Sequence, residues 1–321
     1  MRTLAMKKLS FSCTLALALA TLATTTTITT KAAAVPSNAT ATVRLPARSL
    51  AELKIEIAKA RSIDPRAFVA VNGVISHAAD ADARARGRKA PVALYLAKLG
   101  PSALMPMLEM LAVEAPRGVP AASAAGVRRD LIEALGLLKD ARALPVLVTI
   151  LEDKTEDAAT TRTVTEAVAR IGTEEAATRL LGALDSSSDE RTRAIIAGMG
   201  DCRRLRVTEA LASRLRTTND DAIARAAARS LGRAGNAWAW QTLADRGEEA
   251  RIRETAARAL VDAYVRRVGE ERDAASNALM VVDAPQTPAI IAEAKKGASP
   301  DGVKALDALA ERFARNPSRV R

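Results

Sequence analysis

Apolar residues recur along this chain every three to four positions within segments of about sixteen residues, and short polar turns separate the segments. Residues 124–139 read AAGVRRDLIEALGLLK, 157–172 read DAATTRTVTEAVARIG, and 220–235 read DDAIARAAARSLGRAG. Position six is Arg in each (Arg129, Arg162, Arg225), and position twelve is apolar (Leu135, Val168, Leu231). A fourth copy at 249–264, EARIRETAARALVDAY, carries Ile252 at position four and Leu260 at position twelve. A weaker fifth, DERTRAIIAGMG, ends at Gly200 and has Glu190 where the sixth-position Arg is expected. The copies close at Lys139, Gly172, Gly200, Gly235 and Tyr264, which puts them 28 to 35 residues apart. That spacing belongs to helical repeat arrays.

A partner element repeats with them. Leu108, Leu147, Leu180 and Leu243 each stand eight residues after Gly100, Lys139, Gly172 and Gly235, while Leu211 falls eleven after Gly200. Ser186–Asp189 and Thr217–Asp221 supply turn and N-cap residues between pairs. Nearer the start, Ser49-x-x-Glu52 predicts a capping box, and Asp64-Pro65 predicts an N-cap with a first-turn proline. The pattern therefore predicts an all-α protein, an α-solenoid of stacked antiparallel helix pairs. DDAIARAAARSLGRAG and AAGVRRDLIEALGLLK resemble the second helix of HEAT repeats of the short bacterial type. ALPVLVTIL (143–151) and ATRLLGAL (177–184) resemble the first. The resemblance covers roughly 91–266 and implies an armadillo-like helical superhelix, a fold used mostly for binding.

Composition sharpens this picture. Only 2% of the chain is aromatic against 49% hydrophobic, so core volume must come from Leu, Val, Ile and Ala shared between neighbouring helices. MRTLAMKK is basic, LSFSCTLALALATLA is apolar, and a Thr-rich stretch leads to Ala32-Ala33-Ala34, as in a secretory signal peptide. The apolar run is short of the ~20 residues a membrane span needs. No membrane span is expected in the mature chain, and the expected location is exported, periplasmic or secreted. The domain reading is a signal peptide at 1–34, lead-in and capping helices at 35–90, the HEAT-like array at 91–266, and C-terminal capping helices with a basic tail at 267–321. Residues 80–89 (DADARARGRK) read as a loop. Removing 1–34 takes away Arg2, Lys7, Lys8 and Lys31 and no acid, lowering the net charge by four, from +11 to +7.

Candidate chemistry is sparse. His77 is the single histidine, and a helix would set Asp80 beside it but turn Asp82 away, so no metal site is expected. HEAT-type hydroxylases with a di-iron centre use several His-Glu pairs, which one histidine cannot supply. Cys202 is left unpaired once Cys13 is removed and reads as a partly exposed thiol with no histidine to activate it. Trp238 and Trp240 lie on different faces of a helix, one predicted in the core and the other outside. No phosphate-binding, nucleophile-elbow or dinucleotide motif occurs. No catalytic residue and no cofactor is expected.

The expected function is thus an exported, non-enzymatic scaffold that mediates protein–protein interaction. The alternative is an enzyme or polyanion-binding module with its site in the irregular terminal helices. The expected partner is a protein or peptide with an acidic segment, and nucleic acid is not expected. The candidate partner-binding residues are Arg225, Arg229 and Arg233, spaced i, i+4 and i+8. Sequence neighbours on the other copies cancel (Arg129 with Glu133, Arg162 with Glu166, Glu254 with Arg258), whereas this row reads as unopposed.

Overall fold

The computed structural model describes residues 42–78, 92–317 and Arg319, and among these there is no strand. The expectations for 1–34 and 80–89, and Asp80 and Asp82 with them, lie outside the described residues. Helix α1 (Ala47–Ile63) starts two residues before the predicted capping box. Ser49 therefore sits inside the first turn, and Glu52 pairs with Arg48 across one turn at 2.9 Å. Asp64 behaves as the sequence predicts. Its carboxylate accepts the Ala67 N–H, and Pro65 opens α2 (Pro65–Ser76).

The chain continues through α3 (Val92–Lys98), α4 (Leu104–Ala112), α5 (Ala121–Leu138), α6 (Leu144–Glu152), α7 (Ala158–Ile171) and α8 (Glu174–Asp185). After them come α9 (Asp189–Gly198), α10 (Leu205–Thr217) and α11 (Asp221–Ala234). Asp157, Thr173 and Asp220 cap α7, α8 and α11 by accepting the backbone N–H three residues on. Lys139 and Gly172 end α5 and α7 in the left-handed conformation, which reverses the chain into the next helix.

These helices form two layers. The second-helix copies α5, α7, α9 and α11 pack side by side, while α4, α6, α8 and α10 line up beside them. Leu108, Leu147, Leu180 and Leu211 of one layer and Leu135, Val168 and Leu231 of the other are all fully buried. Burying each such side chain is worth about 2 kcal/mol.

The pairing changes after Gly235. A five-residue helix, α12 (Ala237–Gln241), is inserted, and Leu243 follows it only partly buried. Helix α13 (Glu249–Arg266), the fourth sequence copy, packs on α10 and so lies in the first layer. Its pair partner α14 (Gly269–Val282) packs on α11 and continues the second layer. Ile252 and Leu260 are buried as their periodicity predicts, but in the other layer. Helices α15 (Thr287–Lys295) and α16 (Pro300–Ala314) complete the stack.

Arginines tie the layers together. Each helix end leaves carbonyls without intrahelical partners, and guanidinium groups from neighbouring elements reach them. Arg204 donates to Gly172 O at 2.8 Å, and Arg253 to Val282 O at 3.1 Å and Asp283 O at 2.5 Å. Arg191 meets Leu151 O, and Arg267 meets Thr218 O.

Candidate functional site

The three second-layer helices α7, α9 and α11 leave a groove of about 590 Å³ between them. Its floor is alanine: Ala158 and Ala159 from α7, Ala194 and Ala197 from α9, Ala222 and Ala226 from α11. Its walls are Arg162 from α7, Glu190 and Arg193 from α9, and Arg225, Arg229 and Arg233 from α11. Its lining thus holds five arginines and one acid, Glu190.

Small residues make this geometry. Gly198 lets α9 approach α7 so closely that a Cβ there would stand 2.5 Å from the Thr165 Cβ. Ser230 donates to Ile196 O at 2.6 Å and holds α11 to α9. Gly200 leaves room for Arg233, whose Nε would be 2.6 Å from a Cβ at that position.

All three predicted arginines line the groove, but the row is not unopposed. Arg225 is held by Glu271 and lies 3.3 Å from Glu270, both at the start of α14. Arg233 spans three helices, donating to Ala197 O at 2.5 Å and to Glu166 at 3.2 Å. Arg162 shares the Glu166 carboxylate at 3.1 Å. The opposing acids come from neighbouring helices in space, which spacing along α11 could not reveal. Arg229 is exposed and has no ion-pair or hydrogen-bond partner among the described residues. The same holds for Arg193 and Glu190, two groove residues that sequence reasoning did not select. Arg193 was legible only as an arginine in the copy that departs from the repeat.

The other candidates are placed as follows. Cys202 is fully buried, a correction to the partly exposed thiol expected, because the turn carrying it folds into the core. Burial pushes its thiol up to about 12, which disfavours the nucleophilic thiolate. His77 is exposed at the end of α2, its Nδ1 2.7 Å from Gly73 O. Among the described residues no group of three His, Cys, Asp or Glu could hold a metal ion. Trp240 is buried and donates to Ala234 O at 2.9 Å, and Trp238 is 55% exposed. No helix among the described residues is long and apolar enough to cross a membrane.

Comparison with known proteins agrees on the class. Residues 119–200 match the family described as HEAT repeats, and the all-helical stack of pairs among the described residues fits a HEAT-repeat-like protein. Among solved structures it is similar to human deoxyhypusine hydroxylase, with 18% identity over 78% of this chain and 98% of that one, at a TM-score of 0.34. No curated protein matches. This comparison corrects the expectation of a non-enzymatic scaffold, since a solved structure similar to the chain is an enzyme. A likeness at that TM-score assigns no activity to this chain.

Proposed function

We propose that this protein is a polyanion-binding module that takes an acidic peptide segment into the groove between α7, α9 and α11. One observation carries the reading: of five arginines lining a groove with a small, apolar floor, Arg193 and Arg229 have no acid partner among the described residues. Guanidinium groups bind carboxylates through charge-assisted, often bidentate hydrogen bonds, and alanines leave space for a peptide main chain. The site lies within the array, not in the terminal helices the sequence alternative favoured. Helix α14 of that region contributes only Glu270 and Glu271, which hold Arg225. In the same reading the module is exported to the periplasm or outside the cell, which the signal-like composition of residues 1–34 supports.

Fluorescence anisotropy with labelled poly-L-glutamate tests it. Binding is expected at low salt, weakening steeply as sodium chloride is raised, because exposed charges are screened over about 10 Å at 0.1 M. Poly-L-lysine should not bind. Equal affinity for both polymers, or salt-independent binding, would exclude a polyanion site.

A further inference from the structure

Resting on the polyanion reading, we propose that Arg193 and Arg229 are the residues that clamp the carboxylates of the acidic segment, and that Glu190 limits its affinity. The argument is one of availability. Arg225 already answers Glu270 and Glu271, Arg162 answers Glu166, and Arg233 satisfies Glu166 and the Ala197 carbonyl over Gly200. A ligand that recruits any of these must break a charge-assisted bond to make one, and the exchange is close to neutral. Arg193 and Arg229 carry no such commitment among the described residues, and both are exposed in the groove. They project from α9 and α11, adjacent helices whose axes lie about 8–10 Å apart in ordinary packing. Two carboxylates of one extended acidic segment can therefore be engaged from opposite walls. Glu190 lies three residues before Arg193, on the same face of α9, and is also unpaired. Its carboxylate repels an incoming acid. The copy that departs from the repeat pattern thus places both the free guanidinium and the opposing charge.

The test is anisotropy with fluorescein-labelled poly-L-glutamate on the full chain, with circular dichroism to follow folding. R193Q and R229Q should each weaken binding about tenfold, the loss of one charge-assisted contact, with melting temperature unchanged. R179Q, on the exposed face of α8 outside the groove, should change affinity by less than about twofold. R233Q should instead lower the melting temperature, because it unties three helices. E190Q should tighten binding several-fold, a gain that misfolding cannot mimic. Binding that survives in the R193Q/R229Q double variant, or an R179Q loss equal to that of R229Q, overturns this assignment alone. No gain in E190Q overturns the role given to Glu190. Failure of the wild-type chain to bind poly-L-glutamate at low salt overturns the polyanion reading and the assignment with it. Displacement of the polymer by far tighter binding of duplex DNA overturns the commitment to an acidic peptide.

Discussion

Cys202 shows how a residue's surroundings, and not its type, decide its chemistry. Its sequence context, a turn after Gly200-Asp201, suggested an accessible thiol. The following backbone instead folds Cys202 inward, where desolvation disfavours the thiolate, and the nearby Arg204 charge does not offset it. The native protein should therefore react with a thiol-disulfide reagent far more slowly than a small-molecule thiol, and at full speed once unfolded in guanidinium chloride. Rapid labelling of the native chain would contradict its burial. Leu147 and Leu180 were legible because burial alone sets their recurrence, and an apolar residue at fixed spacing records burial directly. The arginines were not. Arg233 and Arg229 share one helix face, yet one ties three helices and the other faces the groove unpaired. Only the positions of Glu166 and the α9 carbonyls separate them, and these depend on the stack.

Helix periodicity reports which face is buried but not which layer the helix occupies. That is why α13 reads as a second-layer copy: Ile252 and Leu260 face the core from either side. The short insert α12 shifts the alternation by one element, and nothing in the sixteen-residue pattern registers the shift. Glycines carry the layer information more directly. In α5, a Cβ at Gly136 would stand 2.5 Å from the Ala167 Cα of α7, whereas one at Gly126 would meet nothing within 4 Å. Replacing a mid-helix glycine by alanine gains up to about 1 kcal/mol of helix propensity. At Gly136 the added methyl strikes backbone, which cannot rotate aside, and overpacking costs about 1–3 kcal/mol. The cost wins there, and the propensity wins at Gly126. Thermal unfolding should thus show G136A destabilised and G126A unchanged or stabilised. If both variants gained stability, α5 and α7 would not be in backbone contact.

Along the array each helix packs on its neighbours in the stack, so stability is distributed rather than held in one centre. The net charge of +11 is best understood at this scale. Many arginines are spent on helix-end carbonyls and inter-helix acids, so much of the charge is internal bracing, which composition alone could not distinguish from a basic surface. The acids in this bracing make it sensitive to pH. The hydrogen bond from Arg142 holds Asp140, between α5 and α6, below the usual carboxylate range. Burial opposes ionisation of Asp153, at the end of α6, but the Thr155 hydroxyl and N–H outweigh it. Burial also opposes ionisation of Glu249, at the start of α13, where hydrogen bonds from Arg246 and Arg253 prevail. All three are lowered in the fold. Their stabilisation is therefore complete above the unfolded carboxylate values of about 4, and is lost as pH falls through the lower folded values. Two of these acids brace the α5–α6 region, and the third positions Arg253, which ties off the end of α14. Acid should consequently loosen two separated parts of the stack. Below about pH 4 the helical signal is expected to fall in more than one step. At neutral pH, Glu249→Gln should speed amide hydrogen exchange in α13 and α14 while leaving α5 and α6 protected. A single coincident acid transition for every amide would mean that the array unfolds as one cooperative unit.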